Sequence, residues 1–264
     1  NHPFEAGLPP SIEVLDEISS QVAFDERWRE FRAPRLDAPQ FERSLLLAFS
    51  ARVKIDHLRA LAYAFNNNWD LLASRVPEVA APGPVRVKEI IDRMRAVLGR
   101  RDECHAPDDT MLACLDALER FCERLERAPD DIDGLALLTQ ALNSTIIPKV
   151  GNKGRKDNWD DIVGLRADHK EMLELIAQVQ GDAIDAVIKH LATAIRDFTL
   201  AATDLRRRTG RLEFHDLLVQ SRDLLRSSNH GVQVSRALRQ RYQRLLLDEF
   251  QDTDPIQIEL AVLL

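Results

Sequence analysis

Two adjacent carboxylates close an apolar run near the end of this sequence. Leu245 to Gln257 reads LLLDEFQDTDPIQ, and the stretch Arg244 to Asp248 (RLLLD) has the pattern of a short buried strand that ends in an acid. Neighbouring residues on a strand point to opposite sides, so Asp248 and Glu249 can take separate roles. One carboxylate can hold Mg²⁺ through water while the other orients and deprotonates an attacking water, which is the chemistry of nucleotide hydrolysis. Strand ends of open α/β sheets are also where such ligands bind. A glycosidase-type carboxylate pair is excluded, because adjacent residues on one strand cannot flank a scissile bond at the required separation. A bare Asp-Glu after apolar residues is equally what an ordinary strand reaching the surface looks like. The weight therefore falls on the longer string.

A second candidate is the stretch Pro148 to Asp161, PKVGNKGRKDNWDD, where helical periodicity stops and Lys149, Lys153, Arg155 and Lys156 precede Trp159. Lys153, Arg155 and Lys156 are expected to neutralise DNA phosphates, with Trp159 offering a face for base stacking. The competing reading is a solvated loop with a packed tryptophan. Arg206, Arg207, Arg208 and Arg211 fall at the expected C-terminus of a helix, where cations offset the dipole without any ligand. Cys104, Cys114 and Cys122 fit neither a zinc nor an iron-sulfur spacing and read as reduced core cysteines. The histidines fall in no metal spacing either.

DEFQDTDPIQ, Asp248 to Gln257, resembles the Walker B motif and its extension in superfamily 1A DNA helicases, the UvrD/Rep/PcrA group and the RecB/AddA helicase-nuclease subunits. The resemblance implies that Asp248 coordinates Mg²⁺, that Glu249 is the general base, and that Gln251 couples the nucleotide state to the DNA site. Asp252 and Gln257 are implied as supporting positions. Upstream, TGRLEFHDLL (Thr209 to Leu218) is similar to the G-x-L-D-F-D-D-L stretch of the family, with Glu213 and His215 in place of the commoner aspartates. His2 to Glu17, HPFEAGLPPSIEVLDE, resembles the segment that leaves the first motor domain in RecB/AddA-like proteins.

The resemblance implies a parent ATP-dependent DNA helicase that uses ATP and Mg²⁺ in recombinational repair. Its expected partners are single-stranded DNA or a duplex junction, the rest of the motor, and a partner subunit of a helicase-nuclease complex. No G-x-x-x-x-G-K-[ST] loop is present to cradle phosphates, and nothing resembles the later glutamine and arginine motifs. In the family order these lie before residue 1 and after Leu264. The chain is thus expected to be a fragment that holds no bound nucleotide and does not hydrolyse ATP alone.

Helices must position these residues. Apolar steps of three and four predict helices over Leu15 to Phe31, Phe41 to Phe65, Val87 to Leu98, Met111 to Leu125 and Ile132 to Ile146, punctuated by prolines. Periodicity resumes from about Leu165 to Arg208, with Gly181 and Gly210 as the expected breaks, and continues in Phe214 to Leu225 and Gln233 to Gln243. Pro255 opens a last helix, where its missing N–H is harmless. The expected fold is mostly α: a multi-helix accessory subdomain of the type called 1B, with a small remnant of a RecA-like α/β motor at the C-terminus, one strand and the helix after it. The expected boundaries are 1–23 leaving the motor domain, 24–202 for the helical insertion, and 203–264 for the return to the motor.

With 45% apolar and 30% charged residues, the 264-residue chain has the profile of a helix-rich globular protein. Its net charge of -7 means that any nucleic-acid affinity comes from local clusters. No apolar stretch is long enough for a membrane span and the N-terminus is not a signal peptide, so a cytoplasmic protein is expected. A scaffold reading competes with the helicase one: a helical module that meets a partner subunit or motor domain without touching DNA.

Overall fold

A computed structural model describes residues 6–32, 38–242, 244 and 253–264. The chain is mostly α-helical, and the only sheet among the described residues is a pair of two-residue parallel strands. Two compact units divide it: Asn1–Arg35 with Leu58–Pro77 and Thr193–Leu264, and Leu36–His57 with Glu78–Ala192.

The unit built on residues 78–192 holds α2 (Pro39–Ser50), α5 (Val87–Leu98), α6 (Thr110–Glu126) and α7 (Asp131–Leu142). To these it adds the first part of α8 (Ile162–Thr209). Met111, Leu115, Leu118, Cys122 and Leu125 recur at the three- and four-residue steps that give α6 one apolar face. That face meets Ile90, Met94 and Val97 of α5 and Leu165, Met172 and Ile176 of α8 in a single core. Two of these helices begin at sequence-encoded caps: Asp109 accepts from the Met111 amide of α6, and Asp130 accepts from the Ile132 and Asp133 amides of α7.

The other unit is built on aromatic packing. In α1 (Glu17–Phe31), capped by Asp16, the residues Phe24, Trp28 and Phe31 form the buried stripe. Phe31 and Trp28 pack on Phe198 of α8 with ring centroids 4.5 and 5.9 Å apart, and Phe24 meets Tyr63 of α3 (Ile55–Asn66) edge-on at 5.3 Å. After α4 (Trp69–Arg75), the unit is completed by α9 (Phe214–Arg226), α10 (Gly231–Arg241) and α11 (Pro255–Leu263).

Three departures from the sequence-based expectations have physical causes. Phe41 to Phe65 divides into α2 and α3 at Arg52, which takes a positive φ of 64°. Gly181 does not break α8, which runs through it without interruption. One glycine costs about 1 kcal/mol, too little to end a helix that is packed on both sides of it. The strands β1 (Glu13–Val14) and β2 (Arg211–Leu212) carry no sequence signature because two residues are too few for an alternating pattern.

Candidate functional site

Asp248, Glu249, Gln251 and Asp252 lie outside the described residues, as does the predicted strand Leu245 to Leu247. The helices on either side of them are well defined. α10 ends at Arg241, and α11 begins with a capping box: the Asp254 side chain accepts from the Ile256 amide, and Gln257 Oε1 accepts from the Asp254 amide at 3.2 Å. Gln257 is therefore engaged in starting α11, and Pro255 occupies the first turn where no N–H is needed. α11 lies along α9, with Ile256 buried and an Arg226–Glu259 ion pair alongside, and α10 packs on the same helix. The two helices that flank Asp248 to Asp252 in sequence, α10 and α11, both rest on α9. Leu8, Leu217, Leu224, Leu238 and Leu260 line an apolar cavity of about 310 Å³ beside them.

α9 is in turn fixed by the TGRLEFHDLL segment. Gly210 makes the turn out of α8 with φ +70°, and an added Cβ there would sit 2.5 Å from the Ser11 carbonyl oxygen. This close approach lets β1 pair with β2 in parallel register, Glu13 N–H donating to Gly210 O at 2.8 Å and Leu15 N–H to Leu212 O at 2.9 Å. Glu213 and Asp216 then exchange side-chain and backbone hydrogen bonds at the start of α9.

Both carboxylates are buried and paired with arginine. Arg206, 3% exposed, grips Asp216, 0% exposed, through two parallel bonds of 2.6 and 2.8 Å. Its third nitrogen donates to Asn66 Oδ1 at 3.0 Å, and Asn66 passes a hydrogen bond of 2.7 Å to Glu213. Arg27 of α1 reaches the other Glu213 oxygen at 3.3 Å. Burial, followed by the charge of Arg206, lowers the Arg27 guanidinium from its ordinary value. Of the arginines expected to offset the helix dipole, Arg206 is instead a buried ligand of this cluster, while Arg208 pairs with Asp204 and Arg211 with Glu13.

The residues that depart from the family pattern are thereby explained. Glu213 caps α9 inside the cluster, and His215 Nε2 lies 3.0 Å from Asp70, which also accepts from Arg222 at 2.7 Å. Burial works to raise the Asp70 carboxyl, but the bonds from Arg222 and His215 outweigh it and hold it below the usual range. Asn66, Arg27 and Asp70 carried no sequence signal, since their partners lie about a hundred and fifty residues away or more.

In the other unit, the basic loop is tightly framed. Asp109 Oδ2 accepts from the Arg155 amide at 2.9 Å and from Asn158 Nδ2 at 2.8 Å, and the Gly154 amide donates to Thr110. Arg166 donates to the carbonyls of Asn152, Lys153 and Gly154. Gly154 turns the chain with φ +85°, and an added Cβ would lie 2.6 Å from the Ile162 side chain. Trp159 is 4% exposed and belongs to the core. The expected stacking face is therefore turned inward, because the frame that anchors the loop on Asp109 carries the ring under it. Lys149, Lys153, Arg155 and Lys156 are all exposed, and Lys153 Nζ rests 3.3 Å from the Cys114 thiol.

Burial acts to raise the Asp109 carboxyl, but the amides of Arg155 and Met111 and the Asn158 side chain bring it from 3.8 down to about 2. A depressed carboxylate contributes stability that is complete above its unfolded-state value and is lost as the pH falls through its folded one. In urea titrations, Asp109→Asn is expected to be clearly less stable than the natural chain near neutral pH. The deficit should shrink between about pH 4 and pH 2.

Among the described residues no group of three or more His, Cys, Asp or Glu could hold a metal. Cys104, Cys114 and Cys122 are free thiols, and burial, with Glu126 beside it, pushes Cys122 up to about 11. His190 Nδ1 pairs with Ser44 Oγ at 2.7 Å, and His169 is fully buried. No described helix is long and apolar enough to cross a membrane.

The family model for the UvrD/REP helicase N-terminal domain matches residues 86–264, a span that takes in the framed loop, Arg206, Glu213 and Asp216 of the buried cluster, and the acidic word. The chain belongs to this family. It is a UvrD-type superfamily 1A helicase chain, and the activity of UvrD/REP helicases is ATP-dependent unwinding of DNA with ATP and Mg²⁺. No curated protein matches it.

Proposed function

We infer that this chain supplies the DNA-facing helical subdomain and the Walker B carboxylates of a helicase in the RecB/AddA-like branch, working in recombinational repair with a partner subunit. The observation that carries the reading is the ten-residue word DEFQDTDPIQ inside the span matched by the UvrD/REP family. In this reading Asp248 holds Mg²⁺ through water, and the hard carboxylate oxygens of Asp248 and Glu249 suit that ion. Mg²⁺, when bound, neutralises charge on the transferring phosphate. Glu249 takes the proton of the attacking water, and Gln251 passes the nucleotide state to the DNA site. Asp252 supports them, and Gln257 does so by fixing the first turn of α11 through its bond to the Asp254 amide. Arg155 and Lys156 of the basic loop contribute the DNA contact.

With no phosphate-cradling loop in its sequence, the chain is proposed not to turn over ATP by itself. Fluorescence anisotropy on single-stranded and forked DNA at two salt concentrations, with an ATPase assay alongside, tests this. Binding that weakens steeply with salt, without turnover, is the expected result. Absence of binding at low salt would turn the reading to a scaffold, and turnover would reveal a phosphate site elsewhere.

A further inference from the structure

In the unit that holds the basic loop, many surface cations are paired with carboxylates. Arg86 pairs with Glu89 and Asp182, Arg93 with Asp168 and Glu171, and Arg101 with Asp116 and Glu119. The acids that end the loop are also engaged: Asp160 with His105, and Asp161 with Arg100. Lys149, Arg155 and Lys156 are not so paired, and unlike the scattered unpaired cations Arg52, Lys54, Lys88 and Arg120 they gather on one framed loop. All three are exposed, and none has a carboxylate within ion-pair distance among the described residues. Asp157, between them and Trp159, offsets one charge. Three free cations within eight positions, on a chain of net charge -7, form a local field of the sign that phosphates seek.

Lys153 is exposed too and has no carboxylate partner among the described residues, but the tip of its side chain is held differently. Its ammonium sits 3.3 Å from the Cys114 sulfur, and Cys114 is 1% exposed, so this side chain folds back onto the core. The backbone beneath the free cations is held from two sides, by Asp109 through the Arg155 amide and Asn158, and by Arg166 through three consecutive carbonyls. Trp159 points inward. The loop therefore presents charge on a fixed frame and offers no aromatic surface to a base.

We propose that this loop is a prefolded clamp for the sugar-phosphate backbone of DNA, in which Lys149, Arg155 and Lys156 take the phosphates, Lys153 is an internal strut, and Asp109 is the positioning residue. This rests on the DNA-binding reading above and adds Lys149 to the contact set. Because recognition is by phosphate, affinity does not depend on which bases the strand carries.

Asp109→Asn separates positioning from charge. Asparagine is a good helix N-cap and keeps the bond to the Met111 amide, but its Nδ2 faces the Arg155 amide and Asn158, where two donors now meet a third. The variant also removes a negative charge beside a cationic loop, so electrostatics alone calls for tighter DNA binding. A prefolded clamp calls for weaker binding.

The test uses anisotropy on homopolymeric single strands, with thermal melts confirming that each variant is folded at the assay temperature. Lys149, Arg155 and Lys156 changed together to Ala should weaken binding about tenfold or more and flatten the salt dependence by about two logarithmic units per decade. Lys153→Ala should bind as the natural chain does, Asp109→Asn should bind several-fold more weakly, and oligo-dT and oligo-dA should be bound alike. Unchanged affinity in the triple variant, tighter binding by Asp109→Asn, a loss in Lys153→Ala equal to the others, or strong base preference would each overturn the clamp while leaving DNA binding intact. Absence of binding by the natural chain would overturn both. The triple exchange touches only exposed side chains, so it decides the matter even where Asp109→Asn fails to fold.

Discussion

Asp216→Ala is expected to lower the stability of the chain by about 3–5 kcal/mol, read as a shift in the urea midpoint. Asp216 is fully buried and takes both arms of Arg206, itself nearly buried, so the variant leaves a guanidinium in a dry interior with its paired bonds lost. Arg206 also holds Asn66, which holds Glu213, so the loss spreads along the chain of bonds to the start of α9. A double variant, Arg206→Met with Asp216→Leu, should recover much of the deficit, since removing both charges also removes the cost of desolvating them. A double variant as unstable as the single one would show that Arg206 is held by the rest of the cluster and not by Asp216.

Two glycine substitutions should have opposite signs. Gly210→Ala places a Cβ at φ +70° and 2.5 Å from a backbone oxygen of the paired N-terminal segment, and is expected to cost at least about 2 kcal/mol. Gly181→Ala lies inside α8, where an added Cβ meets nothing within 4 Å. It should stabilise by about 0.5–1 kcal/mol through helix propensity. Thermal melts of the two variants side by side check this, and a neutral Gly210→Ala would mean that the β1–β2 pairing shifts easily.

Those two glycines also show what a linear reading can and cannot reach. Both stand in polar surroundings after helical stretches and look alike in sequence. Only the one whose carbonyl meets a segment nearly two hundred residues away is a true break. The helices with one apolar face, α5 and α6 above all, were legible because the core side repeats along the chain itself. Trp159 was not, since a tryptophan flanked by Asn and Asp in a non-periodic loop gives no sign of which way it points. Glu213 and His215 stand out in sequence as departures from a family pattern, but their partners Asn66, Arg27 and Asp70 lie too far off for any local rule. The first half of the acidic word, Asp248 to Asp252, falls on residues that the structure does not describe, and its assignment rests on sequence and family.

The parallel pairing of Glu13–Val14 with Arg211–Leu212 sets an order of events during synthesis. At a translation rate of roughly 5–20 residues per second, the first strand waits about ten to forty seconds for its partner to be made. Phe24 and Trp28 likewise wait for Phe198, and Arg27 for Glu213. The unit formed by residues 36–57 and 78–192 is complete in sequence before then and can close its own core. Residues 13–31 meanwhile have an unpaired strand and an aromatic helix face uncovered, a stretch open to misassociation until residues 198–212 arrive.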